Sequence, residues 1–335
     1  MDAFIQLPED QRRLFCEQAQ AKLGLPPASI EKDFWVCWTL RELVNLPAWG
    51  NQLTFKGGTS LSKAWKLIER FSEDIDIVID RAFLGFGGEK LGQKGQKRLR
   101  RVCSERIREE LEPIIENRFR EILPSGLNWR VEPADVTEDV DQQTLIFHYH
   151  SAFAESAVYL RPVVKIELGA RSDTEPVESP SIQPYLAETF PEMLGPSAFA
   201  VRTVAARRTF WEKAMLLHEE TYRPADKKRK ARLARHYYDL WCLIQKGVAK
   251  QAVEDQGLFE RVAQHRAVFF GQNWMDYETL CPGRLRLVPP DDQLANWRRD
   301  YQSMREEMIF GKAPNFEEII EVVGQFERRF NQLAP

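Results

Sequence analysis

A strand, turn, helix and strand pattern at residues 53–80 constrains this 335-residue chain more than any other segment. A predicted strand, LTFK at 53–56, leads into Gly57 and Gly58, which permit a tight turn and close approach by a ligand. Thr59 or Ser60 is then expected to cap a helix. Apolar residues at helical spacing predict that one face of this helix is buried: Leu61, Ala64, Trp65 and Ile68.

The start of this helix predicts a phosphate-binding site. Free backbone N–H groups at a helix N-terminus favour an anion, and neighbouring hydroxyl groups add hydrogen-bond donors. The predicted nucleotide-binding set combines the turn with nearby polar residues: Gly57, Gly58, Thr59, Ser60, Lys63 and Ser72.

The strand after the helix carries paired acids. Alternate strand residues share a face, so Asp74 and Asp76 point the same way and the isoleucines point into a core. Adjacent carboxylates repel each other unless a cation lies between them, and oxygen ligands suit Mg²⁺ or Mn²⁺. Glu167, the acid of a second predicted strand, is the candidate third ligand. The pattern predicts a two-metal centre for nucleotidyl transfer; the alternative is an edge strand with exposed acids.

Two charged residues interrupt apolar helices in the second half of the chain. Asp239 lies in the otherwise apolar run YYDLWCLI at 237–244, and a buried carboxylate needs a partner or a cleft. Lys213 lies at the edge of an apolar helix stripe. Either the two residues form a structural ion pair, or Lys213 contacts a triphosphate while Asp239 orients it.

Five segments then carry a family resemblance: EKDFWV at 31–36, FKGGTSLSK at 55–63, FSEDIDI at 71–77, FWEKAM at 210–215 and RHYYDLWCL at 235–243. Together they resemble the AbiEii/AbiGii family of bacterial toxins. These are nucleotidyltransferase-like members of the DNA polymerase β superfamily, with the MenT toxins as relatives. The resemblance spans residues 30–243, and Glu167 stands where the superfamily usually has aspartate.

The resemblance implies a fold, an activity and partners. It implies transfer of a nucleotide from an NTP onto RNA, often the 3′ end of tRNA, and a cognate antitoxin protein. It also implies that Asp74, Asp76, Lys213 and Asp239 are catalytic. Two rival hypotheses stay open: nucleotide transfer, such as AMP transfer, to a protein hydroxyl, or a nucleotide- or RNA-binding regulator without turnover.

The order of the predicted elements indicates an α+β protein. Helical patterns at 8–44 precede strand patterns at 128–133, 144–150 and 158–168, and helical patterns dominate after residue 203. A proline-rich, aperiodic segment at 170–196 predicts a junction. We therefore predict a polymerase-β-like nucleotidyltransferase domain with a small mixed sheet at residues 1–196. A helical domain at 197–335 would complete the active site.

The charge distribution is uneven although the net charge is only −3. Basic residues cluster at 90–108, beginning with Lys90, and at 226–235. Such clusters favour an RNA backbone, a solvated surface or an acidic antitoxin. The residues predicted to contact RNA are Lys97, Arg98, Arg100, Arg101, Lys227, Lys228, Arg229 and Lys230.

The cysteine content and the absence of targeting patterns indicate the cellular compartment of the protein. Five cysteines, an odd number without a CxxC pair, predict free thiols rather than a disulfide framework or a zinc site. Neither a signal-peptide pattern nor an apolar run of about 20 residues is present, so we expect a cytoplasmic protein that does not contact membranes. His148 and His150 share one strand face, where a hydrogen-bonded pair is favoured over a metal site.

Overall fold

The structure of the protein is a computed structural model, and it describes residues 1–88, 91–153, 161–309 and 313–333. Lys90 and positions 158–160 of a predicted strand lie outside the described residues. The chain forms two compact units. Unit 1 contains Met1–Ala64 and Ser72–Thr203, and unit 2 contains Trp65–Phe71 and Val204–Pro335. The seven-residue segment Trp65–Phe71, in the middle of the strand, turn, helix and strand pattern, therefore belongs to unit 2, which the sequence pattern did not indicate.

Unit 1 begins with helices and then alternates helices with strands. Pro26 precedes α3 and Pro27 occupies its first turn, where its missing N–H has no helical partner to lose. The helices are α1 (Asp2–Ile5), α2 (Glu9–Leu23), α3 (Pro27–Val44), α4 (Gly57–Thr59), α5 (Gln93–Arg106), α6 (Glu112–Ile122), α7 (Tyr185–Thr189) and α8 (Pro191–Leu194). A π-helical turn, Ser60–Ala64, continues α4, and another, Ile107–Leu111, joins α5 to α6.

One mixed sheet organises unit 1. Its strands are β1 (Leu53–Lys56), β2 (Ile75–Ile79), β3 (Arg130–Pro133), β4 (Thr144–His148), β5 (Val163–Gly169), β6 (Val177–Glu178) and β9 (Thr203–Val204). They lie in the order β3-β4-β5-β2-β1-β9-β6, and a separate pair is formed by β7 (Ser181–Ile182) and β8 (Phe199–Ala200). β2 runs parallel to β5 and antiparallel to β1. The predicted α+β class with a mixed sheet is confirmed.

The two faces of this sheet differ because side chains alternate along each strand. The face with Phe147 is buried: its ring centroid lies 5.8 Å from that of Trp35 on α3 and 4.8 Å from that of Phe119 on α6. The opposite face carries Lys56, Asp76, Glu167 and Thr144 in one cross-strand row. The core thus leaves a polar row across four neighbouring strands.

The helix after Gly58 is shorter than the periodicity predicts. Helical structure ends at Ala64, and Lys66 has a positive φ of 52°. The predicted caps are also wrong, because no side chain caps α4 and its N-cap position is Lys56. The Thr59 hydroxyl donates instead to the Asp74 carbonyl, 2.5 Å away, and the Ser60 hydroxyl donates to the Gly57 carbonyl, 2.9 Å away. Ile68 lies beyond the helix and is buried in unit 2.

The second part of unit 2 is helical, as predicted for the end of the chain. Its helices are α9 (Ala206–Thr221), α10 (Arg235–Gln245), α11 (Val248–Glu254), α12 (Leu258–Phe269), α13 (Asp291–Met308) and α14 (Phe316–Asn331). Aromatic rings fill the space between them: the ring centroid of Trp211 lies 4.8 Å from that of Phe259 and 5.0 Å from that of Phe330. This core fixes α9 and α10, which carry Lys213 and Asp239.

Candidate active site

Three acids lie together on the polar face of the sheet in unit 1. Asp76 on β2 is the register partner of Glu167 on β5. Asp74 lies two residues before Asp76, just ahead of the strand. Burial and the charge of Glu167 raise the pKa of Asp76 to about 7, and the same two causes raise the pKa of Asp74. The sheet therefore brings the three predicted metal ligands onto neighbouring positions.

The chemistry of these donors fits a hard divalent cation. Carboxylate oxygens are the ligands that Mg²⁺ and Mn²⁺ prefer, and a cation would relieve the repulsion that raises both aspartate pKa values. Glu167 is engaged elsewhere, because its Oε1 lies 2.5 Å from Nζ of Lys165. Within the described ranges, no group of three His, Cys, Asp or Glu side chains converges as a metal-ligand set. Asp74 and Asp76 thus fit a cation more directly than Glu167.

Position 57 requires glycine because of its backbone conformation and because the Asp76 side chain lies against it. Its φ is +80°, a region that L side chains rarely adopt. A Cβ atom at this position would lie 1.8 Å from Oδ2 of Asp76. The turn therefore places its backbone directly against the Asp76 carboxylate. We predicted close approach by a ligand from the glycine pair, but the close contact at Gly57 is with this side chain.

Hydroxyl groups fasten the turn to the strand that carries the acids. Thr59 Oγ1 donates its proton to the Asp74 carbonyl, so Ser72 must donate in the 2.8 Å bond between their hydroxyl oxygens. Thr59 is 1% exposed. These two residues of the predicted nucleotide-binding set consequently hold Asp74 at a fixed position relative to Gly57.

Lys63, another member of that set, has a partner of opposite charge. Its Nζ lies 2.6 Å from Oδ1 of Asp33 on α3 and 3.5 Å from the centroid of the Tyr185 ring. Burial acts to lower the pKa of Lys63, but the charge of Asp33 outweighs it and the pKa is raised. Asp33 also accepts a hydrogen bond from the Tyr185 backbone N–H. Asp33 of the EKD segment thus anchors the π-helical turn that follows α4.

Within unit 2, Asp239 binds two cations. Arg70 forms a fork with both carboxylate oxygens, from Nε at 2.7 Å and from Nη2 at 2.9 Å. Nζ of Lys213 lies 2.8 Å from Oδ2 of the same carboxylate and 3.4 Å from Nδ1 of His236. Burial acts to raise the pKa of Asp239, but Arg70 and Lys213 outweigh it and the pKa lies well below its usual value.

Among the side chains that the structure describes, Arg70 and Lys213 share the carboxylate of Asp239. Burial and Lys213 hold the pKa of His236 well below its usual value, so this ring is neutral. Burial also lowers the pKa of Lys213, with a contribution from the charge of Arg70, although Asp239 acts to raise it. The predicted Lys213–Asp239 pair is present, whereas Arg70 was missed. The only sequence signal for Arg70 was its place next to the FSEDIDI motif, and its partner lies 169 residues away.

The first basic cluster forms an open groove on α5. Lys97, Arg100 and Arg101 line a cavity of about 390 Å³, together with Ser104 and Arg108. Acids also border it: Arg101 Nη1 lies 2.8 Å from Glu105 Oε1, and Arg100 Nη1 lies 3.9 Å from Asp141 Oδ1. Arg98 lies outside this lining, 5.4 Å from the Phe86 ring centroid.

The second basic cluster has mixed roles. Arg229 is only 16% exposed; it lies 3.9 Å from the Trp297 ring centroid and forms an ion pair with Glu220. Lys227 lies 4.2 Å from the centroid of the Trp274 ring. Lys228 and Lys230 are exposed. Arg229 therefore has a packing role within unit 2 that the charge pattern did not reveal.

A family model described as "Nucleotidyl transferase AbiEii toxin, Type IV TA system" matches residues 38–322. No curated protein matches the sequence significantly. Among solved structures, the chain is similar to MenT4, a nucleotidyltransferase toxin from Mycobacterium tuberculosis H37Rv. That likeness has a TM-score of 0.48 and 18% identity, covering 96% of this chain and 90% of MenT4.

The family match covers most of the chain, and it defines the class of protein as nucleotidyltransferase toxins of type IV toxin–antitoxin systems. The chain belongs to the AbiEii family. The resemblance inferred from the motifs and the assignment as a nucleotidyltransferase are both confirmed. Membership also implies a cognate antitoxin. In the part of the chain that the structure describes, the helices are too short or too polar to cross a membrane.

Proposed function

We propose that this nucleotidyltransferase toxin moves a nucleoside monophosphate from an NTP onto an RNA acceptor in the cytoplasm. The 3′ end of tRNA is the proposed acceptor, and the reaction depends on a divalent metal. The observation that carries the proposal is the contact between the Gly57 turn and Asp76. Backbone donors suited to phosphates and carboxylates suited to a cation lie side by side, as nucleotidyl transfer requires.

Asp74 and Asp76 would hold the metal, Mg²⁺ or Mn²⁺, and Glu167 would join them if Lys165 released it. When bound, such a metal neutralises phosphate charge and activates the acceptor hydroxyl. Gly57, Gly58 and Ser60 would place backbone donors at the phosphates. Thr59 and Ser72 would keep Asp74 beside that turn, and Lys63 would stabilise α4 through Asp33.

The cluster in unit 2 supports a phosphate role for Lys213 on grounds of charge. Two basic side chains of the described cluster face one carboxylate, so a bound anion would be stabilised by the second of them. In this proposal Lys213 stabilises negative charge on the phosphates of the NTP. Asp239 and Arg70 are positioning residues. Oδ2 of Asp239 contacts the Lys213 ammonium, and Nε of Arg70 holds the same carboxylate through Oδ1.

The groove on α5 supports an RNA acceptor. Lys97, Arg100 and Arg101 border a cavity of about 390 Å³, open enough for a phosphodiester backbone. Exposed Lys228 and Lys230 are proposed as additional contacts, and Arg98 and Lys227 as weaker ones. If the groove binds RNA, neutralising its three cations should lower the salt slope of binding by roughly 0.7 for each lost phosphate contact.

The test uses four α-³²P-labelled NTPs with purified tRNA, other cellular RNA and a protein extract, in the presence of Mg²⁺ or Mn²⁺. We expect label to enter RNA with release of pyrophosphate, and to stay absent with Asp76→Asn. Label in protein instead of RNA would favour the rival transfer to a protein hydroxyl. Nucleotide binding without pyrophosphate release would favour a regulator without turnover.

A further inference from the structure

A second cavity lies on unit 1, at the end of the sheet where β4 finishes and β3 and β5 begin. Its volume is about 190 Å³. That is smaller than the roughly 300–1,000 Å³ typical of pockets for drug-sized ligands, so it suits one ring system rather than a whole nucleotide. The residues that line it include Asn128, Trp129, Arg130, His148, Tyr149 and His150.

Strand register relates this cavity to the acids. Glu167 pairs with Asp76 on one side and with Thr144 on the other, and His148 lies four residues further along β4. Strand spacing of about 4.8 Å and a rise of about 3.3 Å per residue then put His148 roughly 12–16 Å from Asp74 and Asp76. His148 and the two aspartates all lie toward the end of the sheet at which β2 begins and β4 ends.

Aromatic and polar groups dominate the cavity. Trp129 is half-buried, with its ring centroid 6.1 Å from that of Phe119, and Tyr149 is buried against Trp35. Arg130, which is 61% exposed, pairs with Glu132 at 3.1 Å. Because this cation is balanced by its own acid, the cavity offers ring faces and hydrogen-bonding groups without excess positive charge.

This combination favours a base over a phosphate. Proteins that read single-stranded RNA stack splayed bases on aromatic side chains and bond their edges with polar groups. The imidazole of His148, 2.7 Å from Glu132, and that of His150, 2.6 Å from Glu9, stand at the rim with their orientation fixed. A platform at Trp129 with oriented polar groups around it matches that mode of recognition.

We propose that this cavity, the Trp129 pocket, binds a nucleobase of the RNA acceptor upstream of its 3′-terminal nucleotide. The proposal rests on the proposed function, because it needs an RNA acceptor whose 3′ hydroxyl reaches the acids. Trp129 precedes Arg130, the β3 partner of His148, so the same strand spacing puts its Cα atom roughly 17–22 Å from those of Asp74 and Asp76. That separation corresponds to at most about six nucleotides, since stacked bases advance roughly 3.4 Å each and an extended strand advances further.

The experiment compares acceptors that can and cannot reach the pocket. A dinucleotide, CA, and an octanucleotide ending in CCA are offered to wild-type protein, Trp129→Ala and Trp129→Phe. We expect Trp129→Ala to raise KM for the octanucleotide about 5- to 100-fold, the scale of one lost base stack, with little change in kcat. The dinucleotide should react equally well with wild type and variant, and Trp129→Phe should retain most of the octanucleotide affinity.

A series of abasic octanucleotides distinguishes base binding by Trp129 from a purely structural role of this residue. Octanucleotides that lack one base at successive positions from the 3′ end should show one position at which wild-type KM rises as much as in Trp129→Ala. At that position Trp129→Ala should add no further loss. His148→Ala, a variant of the pocket rim, repeats the comparison if Trp129→Ala does not fold.

Different failures are distinguishable. Equal losses with both acceptors, or no loss with the octanucleotide, would overturn the pocket while leaving transfer to RNA intact. Additive losses from the abasic site and the variant at every position would also overturn it. Wild-type protein that labels neither RNA would overturn the proposed function, and the pocket assignment with it.

Discussion

Two clusters of charge in this protein differ in which sign predominates. In unit 1, three carboxylates share one face of a sheet with Lys56 and Lys165, and Lys165 pairs with Glu167. In unit 2, two cations share the single carboxylate of Asp239. The same residue type responds in opposite ways: the pKa of Asp76 rises to about 7, while that of Asp239 falls well below its usual value.

The difference indicates what each cluster lacks. Burial disfavours a charge in either cluster, and the sign of the neighbours decides whether that cost is increased or offset. Carboxylates that repel each other are relieved by a cation, and a cluster with surplus positive charge is relieved by an anion. A divalent cation and an NTP, the cofactor and substrate of the proposed nucleotidyl transfer, have these two charges.

The largest effect is expected from Asp76→Asn. It should reduce transfer by roughly 10³-fold or more, because it removes a principal charge from the acidic site. Stability should hold or rise, since the substitution relieves repulsion from Glu167 and Asp74. Transfer assays and thermal unfolding measure the two effects, with Asp80→Asn, an exposed acid at the end of β2, as the matched control. Wild-type activity in Asp76→Asn would remove the metal assignment.

The cationic cluster should separate activity from stability. Lys213→Ala leaves the two-bond Arg70–Asp239 pair intact, so it should lower transfer about 10²-fold with a small loss of stability. Asp239→Ala leaves two buried cations without an anion and should cost about 3–5 kcal/mol. Thermal unfolding and transfer assays are run on both variants. A fully active Lys213→Ala would show that the cluster is only structural.

Arg70 changes the expected outcome of a double replacement. From sequence alone, replacing Lys213 and Asp239 by apolar residues restores stability if they form only an ion pair. The structure adds Arg70, which this double variant would leave without its carboxylate partner. We therefore expect stability to return only when Arg70→Met is added, with thermal unfolding of the double and triple variants as the measurement.

A smaller effect is expected from Gly57→Ala. Positive φ costs an L side chain roughly 1–2 kcal/mol, and the new Cβ would also displace the Asp76 carboxylate. Gly247→Ala is the matched control, because its φ is +79° and no described atom lies within 4 Å of the added Cβ. Backbone strain should destabilise both variants by a similar amount. Only Gly57→Ala should also reduce the rate of nucleotide transfer, by about 10- to 100-fold. Equal activity in the two would contradict the close contact.

The smallest expected effect is on how stability depends on pH. The stability difference between variant and wild type should have opposite signs for Asp76→Asn and Asp239→Asn, as measured by thermal unfolding in EDTA. The folded pKa of Asp76, about 7, exceeds its unfolded value of about 4, so its ionisation cost grows from pH 4 to pH 7. Asp76→Asn should therefore gain stability over wild type across that range. The folded pKa of Asp239 is lowered, so Asp239→Asn should be less stable than wild type at pH 7, with the difference shrinking only below about pH 4. Parallel profiles would refute the comparison.

Local patterns predicted much of the acidic site. Alternation along a strand put Asp74 and Asp76 on one face, and the glycine turn ahead of them marked a place where backbone and functional groups meet closely. Glu167 followed because it was the acid of the best second strand. The helical periodicity failed beyond Ala64, because the chain leaves unit 1 there and packing in unit 2 overrides it.

The α+β class, the family and the order of the motifs could be predicted from sequence, because each depends on patterns of residues close together in the chain. The partners of the buried charges, by contrast, depend on packing between distant segments. Arg70 meets Asp239 across 169 residues, and Lys63 meets Asp33 on another helix. Burial makes such pairing necessary, but it does not state which cation will be nearest. That choice is made when distant helices pack.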